Sequence, residues 1–277
     1  MQKGGQDILV IGNYTKDVYL RLDPTKNYSE KDHAATPWLD FAFDGSSHYY
    51  FSRVPILGGS AITEEIFRHF QLYFYSLHAQ SIPYRYILSL EDKVHYLSPQ
   101  SFPENFWLTP VIAPRWIFID RSANLSQQSS RAIASYLKAN PSCLLAIFIS
   151  QYSKAFLPHM QELINLAKFK ITDFKQPRLM NDLDLEISET EIKTKNYIGK
   201  WSQREKDALK THLSINQTIA ATFFASLCVG YDELSALKLT LANLENASLS
   251  STTSHAKLLE YIQTKQFDIS PREANSH

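Results

Sequence analysis

Cys143-Leu144-Leu145-Ala146-Ile147-Phe148-Ile149 is an unbroken apolar run of strand length. A strand with no polar face must be covered on both sides, and that is the condition of a strand inside a parallel sheet flanked by helices. The segments around it alternate accordingly. Trp116-Ile117-Phe118-Ile119-Asp120 reads as a strand, and Ser126 to Ala139 as a helix opened by Ser126 and closed near Asn140-Pro141. Pro158 to Lys168 reads as the next helix and Phe169-Lys170-Ile171-Thr172 as the strand after it. Strand and helix in alternation predict a three-layer α/β/α sandwich with a mostly parallel central sheet. With 277 residues, 44% of them hydrophobic, the chain can bury a full core as a single domain over 1–277.

Charge excludes some partners. Acidic and basic side chains are equal in number, 28 each, so there is no electrostatic footprint for nucleic acid or for an anionic membrane. The first residues are polar and the apolar stretch Ile219 to Gly230 is too short to cross a bilayer, so a cytoplasmic protein is expected. Cys143 and Cys228 both lie in apolar segments and read as buried free thiols. The histidines lack metal-ligand spacing.

Three segments carry chemistry. Ser214-Ile215-Asn216-Gln217 is a polar tetrapeptide opening the apolar helix that runs from Thr218. Ser214 and Asn216 suit a helix start, and a plain capped core helix is one reading of the segment. Near the N-terminus, Ile8-Leu9-Val10-Ile11-Gly12 is a strand, Gly12-Asn13 a break, and Tyr14 to Leu20 a second, alternating strand bearing Asp17. A carboxylate can accept from two neighbouring hydroxyls at once, which suits a polyol, although such an Asp can equally be a strand-end residue. Leu57-Gly58-Gly59-Ser60-Ala61 then leads into an amphipathic helix, and paired glycines there let a ligand approach backbone NH groups.

Taken in this order, the segments resemble ribokinase-like (PfkB) sugar and nucleoside kinases. In that family the late helix begins Gly-Ala-Gly-Asp, the glycines holding the transferring phosphate and the Asp taking a proton from the acceptor hydroxyl. The resemblance implies sugar contacts at Asn13, Asp17, Gly58, Gly59 and Ser60. It places the phosphate site at Ser214, Ile215 and Asn216, and the base position at Gln217. It further implies a small β lid from segments 21–55 and 84–97, where Asp44-Gly45 reads as a hairpin turn and aromatics such as Trp38, Phe41 and Tyr50 suit a lid core or a homodimer contact.

The departures fall on the nucleotide side. Gln217 is an amide, able to orient a hydroxyl but not to deprotonate it, and loss of general-base assistance typically costs about 100- to 10,000-fold in rate. Where the family has Asn-x-x-Glu around magnesium, this chain has Asp173-Phe174-Lys175-Gln176; Asp173 is a single hard oxygen ligand, or simply a strand-end acid. Residues 177–213, which hold strands and a glycine loop in the family, show one glycine after Glu186, Gly199, and no strong apolar strand pair. Glycine is scarce throughout, 8 residues, where a chain cradling a triphosphate would keep more. Helices are expected over Asp232–Leu249 and His255–Lys265, with Asp268–His277 a loose tail.

The expectation is a carbohydrate kinase homologue with retained sugar-side motifs and a worn ATP site, a weak or inactive binder of a small polyol. The alternative is an active, divergent kinase that uses ATP and Mg to phosphorylate a sugar or nucleoside.

Overall fold

The computed structural model describes residues 8–12, 14–22, 49–51, 56–78, 85–90, 93–96, 110, 114–123, 125–150, 157–173, 182–201, 212–246 and 255–272. Asn13 and the Asp44-Gly45 turn lie outside these residues.

Strand β1 (Ile8–Gly12) is buried along its whole length. Its side chains alternate between two separate cores. Ile8 and Val10 pack with Phe118, Phe148 and Ile171, while Leu9 and Ile11 pack with Ile117, Ile119, Leu145 and Ile147. That division is the period of two along each strand expressed in three dimensions, with a helical layer on either face. β5 (Phe74–His78) and β8 (Trp116–Ile119) flank β1, both parallel to it; β9 (Leu144–Ile149), β10 (Phe169–Thr172) and β11 (Leu185–Ile187) continue the parallel series. β12 (Glu191–Thr194), β13 (Tyr197–Lys200) and β14 (Ile269–Pro271) complete the sheet in antiparallel fashion, in the order β5-β1-β8-β9-β10-β11-β12-β13-β14.

Helices α1 (Ser60–His69), α4 (His212–Cys228), α5 (Glu233–Asn246) and α6 (His255–Thr264) contribute to the first core, α2 (Gln127–Ala139) and α3 (Leu157–Leu166) to the second. Ser126 caps α2 as the sequence predicts, its hydroxyl accepting from the Ser129 amide at 3.1 Å. α4 is largely apolar from Ile219 to Ser226, where every residue is buried. Phe223 and Phe224 face the aromatic side chains of the sheet, Phe224 meeting Phe118 at 4.9 Å and Trp116 edge-on at 5.3 Å, and Thr222 meets Asn243 of α5 at 2.8 Å. Burying each phenylalanine contributes roughly 2–3 kcal/mol.

A second sheet is built from β2 (Tyr14–Leu22), β3 (Tyr49–Phe51), β4 (Ile56–Gly59), β6 (Arg85–Leu90) and β7 (Lys93–Tyr96), in the order β3-β2-β6-β7 with β4 on β2. β4 runs straight into α1, so its pairing with β2, Tyr14 opposite Gly59 and Asp17 opposite Ile56, fixes the start of that helix. Gly59 sits there at φ 57°, ψ −146°, a conformation essentially confined to glycine.

Three expectations need correction. Residues 177–213 do contain strands, β11, β12 and β13, and in the first two buried Leu185, Ile187, Ile192 and Thr194 alternate with partly exposed Glu and Lys. They are short, and the charged residues facing outward hide the apolar face. Asp268–His277 is no loose tail at its start, since β14 pairs with β13 and Arg272 donates to the carbonyls of Asn196 (2.8 Å) and Thr194 (2.9 Å). α4 begins at His212, so Ser214 to Gln217 lie inside its first turns, not ahead of them. Gly199, finally, serves packing. A Cβ there would lie 3.1 Å from methyls of both Leu237 and Leu241, so the absent side chain is what lets α5 close on β13.

Candidate functional site

Parallel sheets with helices on both faces place ligands at the carboxyl ends of their strands. Here the ends of β1, β8, β9 and β10 meet the first turns of α1 and α4, and a group of buried polar side chains, among them Ser60, Thr63, Asp120, Arg121, Ser150 and Gln217, collects there. Asp120, directly after β8, is the hub, only 1% exposed. Its Oδ2 accepts from the Thr63 hydroxyl of α1 (2.6 Å) and from the Gln217 amide Nε2 of α4. Its Oδ1 accepts from the backbone N (2.8 Å) and hydroxyl (2.6 Å) of Ser122. Four donors fill the four lone-pair positions of a carboxylate, which is how a buried acid is tolerated. Because a carboxylate only accepts, Gln217 must turn its NH2 toward Asp120 and keep its oxygen as the remaining acceptor.

A second polar pair lies beside the first. Arg121 reaches Asp173, at the end of β10, with Nη1 3.0 Å from Oδ2 and both side chains buried. Its Nη2 donates to the Ser150 hydroxyl after β9 at 3.2 Å, and its guanidinium lies 5.4 Å from the Phe148 ring centre. Asn216 of α4 donates to the same Asp173 oxygen at 3.2 Å. Neighbouring residues of α4 thus engage the two acids that end β8 and β10.

β1 closes the corner from below. A Cβ on Gly12 would lie 2.8 Å from Ser60 Cβ, 3.0 Å from Asp120 Cβ and 3.0 Å from Ser122 Oγ, so the start of α1 and the end of β8 can meet only across a glycine.

The residues singled out in the sequence are placed as follows. Gln217 is buried and bonded to Asp120; Asn216 is half-buried and bonded to Asp173; Ile215 is half-buried against the first core; Ser214 is in the first turn of α4. Ser60 is fully buried at the head of α1, Gly58 and Gly59 end β4, and Asp17 is on β2 opposite Ile56 and Arg85. Asp173 spends an oxygen on Arg121 and Asn216, and among the described residues no group of three or more His, Cys, Asp or Glu could hold a metal ion. Cys143 and Cys228 are buried free thiols, pushed by burial up to about 11 and about 12, so neither is a nucleophile near neutrality.

Sequence reasoning missed Asp120, Arg121, Thr63 and Ser150. The signal was present in Asp120-Arg121-Ser122, an acid, a base and a hydroxyl together where an apolar strand of a parallel sheet ends.

No protein-family model matches the chain, and no curated protein matches it. Solved structures do. The nucleoside kinase of Methanocaldococcus jannaschii, an archaeal member of the ribokinase family, aligns with a TM-score of 0.58 at 12% identity over 95% of this chain and 100% of its own. The fold is ribokinase-like. Arabidopsis thaliana ribokinase, complexed with ribose and ATP, aligns with a TM-score of 0.54 at 8% identity, covering 94% of this chain and 100% of its own. Schistosoma mansoni adenosine kinase, complexed with 2-fluoroadenosine, aligns at 0.55 and 11%, covering 91% and 99%. The mostly parallel sheet between helices is the one expected from the alternation of strands and helices, and the ribokinase-like fold is the one that the resemblance implied. Among the described residues no helix is long and apolar enough to cross a membrane.

Proposed function

We propose that this chain is a ribokinase-like binding protein for a small polyol, a sugar or nucleoside, whose phosphoryl-transfer corner has been rebuilt as a closed hydrogen-bond network. The observation that carries the reading is the bond from Gln217 to Asp120. The residue at the base position has no carboxylate to receive a proton, and the carboxylate nearest to it is filled by Thr63, Ser122 and Gln217 itself.

The donor set does not fit a magnesium–triphosphate. Asp120 already accepts from Thr63, Ser122 and Gln217 and Asp173 from Arg121 and Asn216, so both acids are committed to protein donors and not held ready for a cation, and Arg121 is already neutralised by Asp173. Asn216 and Gln217 each donate a side-chain amide hydrogen to those acids. ATP and Mg belong only to the alternative of an active kinase, which would need Asp120 freed as its base.

The sugar-side features support the polyol. Gly59 holds the positive-φ turn that opens α1, and Asp17 lies on the strand paired to it. The ligands named for two structural neighbours, ribose and 2-fluoroadenosine, are of the same class. Asp17, Gly58, Gly59, Ser60 and Asn13 are proposed to hold the hydroxyls. Calorimetry with a panel of sugars and nucleosides, each with and without ATP and magnesium, tests this. Binding of a polyol without nucleotide binding is expected; nucleotide binding with phosphoryl transfer would overturn it.

A further inference from the structure

We propose that positions 120 and 217 form a couple built for one carboxylate, which can stand on the strand side or on the helix side but not on both. The couple takes its functional meaning from the reading above, since position 217 is where an acid would serve as base. Here the acid stands on the strand side. Asp120 is then a positioning residue, holding a neutral amide where a base would otherwise project.

Matching of acceptors to donors imposes the choice. The contact between Asp120 Oδ2 and Gln217 Nε2 is direct, and both side chains are buried, 1% and 3% exposed. An acid at 217 beside an acid at 120 would replace a donor with a second acceptor at hydrogen-bond distance, and two carboxylates so placed cannot both ionise. With Asn at 120 and Glu at 217 the polarity simply reverses. The Asn amide donates to the Glu carboxylate, its oxygen still accepts from the Ser122 backbone N and hydroxyl, and the Thr63 hydroxyl, which can donate or accept, turns to suit. Glutamate keeps the shape of glutamine, so the exchange alters charge and hydrogen-bond polarity while leaving packing alone.

The test is a stability cycle on the full chain with Gln217→Glu, Asp120→Asn and the double variant, measured by urea unfolding across pH. Gln217→Glu is expected to lower the folding equilibrium constant roughly tenfold or more at neutral pH. One of its two carboxyls binds a proton more tightly folded than unfolded, so the deficit should shrink as pH falls toward the ordinary carboxylate range of about 4. The double variant should recover most of the loss and lose that pH dependence, a rescue that a merely space-filling role would not produce. If Gln217→Glu accumulates no folded protein at neutral pH, recovery of folded protein in the double variant supports the couple and continued failure to fold overturns it. A Gln217→Glu protein as stable as the parent at every pH, or a double variant no more stable than Gln217→Glu alone, also overturns the couple. Neither result bears on polyol binding, and a failed binding assay leaves the cycle standing.

Discussion

Replacing Asp173 with alanine removes the carboxylate that faces the buried Arg121 guanidinium. The side chains are 5% and 3% exposed, with Nη1 and Oδ2 3.0 Å apart. The Ser150 hydroxyl and the Phe148 ring, which also touch Arg121, bring no negative charge of their own. Breaking a buried pair from one side typically costs about 3–5 kcal/mol, because the surviving ion is stranded in a poor dielectric. Removing both charges, as Arg121→Met with Asp173→Ala, should recover most of that loss, since the desolvation cost disappears with the pair. Lys138–Glu162 provides the contrast: at 61% and 46% exposure, its loss through Lys138→Ala should cost about 0–1 kcal/mol. Urea unfolding measures all three, read as a midpoint shift at constant slope. The Asp173→Ala loss should persist in high salt, which screens buried pairs little. A loss for Asp173→Ala no larger than that for Lys138→Ala, or a double variant as unstable as the single one, would refute the reasoning.

Other consequences follow from the same geometry. Gly12→Ala forces a Cβ to within 2.8 Å of Ser60 Cβ and 3.0 Å of Asp120 Cβ, atoms on rigid elements, and should cost about 1–3 kcal/mol by thermal or urea unfolding while weakening polyol binding in calorimetry. His255 at the head of α6 stacks on Phe70 at 4.4 Å and meets Tyr231 edge-on at 5.6 Å, with Nε2 buried and unbonded among the described residues. Burial holds its pKa below the ordinary 6.5, so the neutral ring is the form the fold prefers. Stability is therefore full above that ordinary value and falls as pH drops through the folded one; His255→Phe should flatten the pH–stability profile near this range. Cys143 and Cys228, pushed up to about 11 and about 12, should resist a thiol reagent at mildly alkaline pH until the chain is unfolded, and rapid labelling of the native protein would contradict their burial.

Much of the scaffold was legible because burial writes itself into local pattern. Cys143–Ile149 could only be a doubly covered strand, and β9 occupies Leu144–Ile149. Ser126 reads as a cap and is one. The antiparallel end of the sheet was harder, since β11 and β12 expose Glu186, Glu191 and Lys193 between their buried residues and are too short for the alternation to dominate. β14 was illegible locally. Its residues are exposed or half-exposed, and it exists because β13 offers an edge. The site divides in the same way. Gln217 and Asp173 drew attention as departures from a known pattern, whereas Asp120 and Arg121, apart from the local Ser122 bonds to Asp120, take their meaning from partners distant in the chain: Thr63, Gln217, Ser150 and Asp173. No local window contains that network. Topology assembles it.

The central claim is that the corner formed by Asp120, Gln217, Arg121 and Asp173 is closed to phosphoryl transfer. The most direct measurement is the conversion of ATP to ADP by the purified chain with magnesium and a panel of sugars and nucleosides. No acceptor-dependent turnover above background is predicted. Steady turnover that requires a hydroxyl acceptor, and that Gln217→Ala abolishes, would contradict the claim.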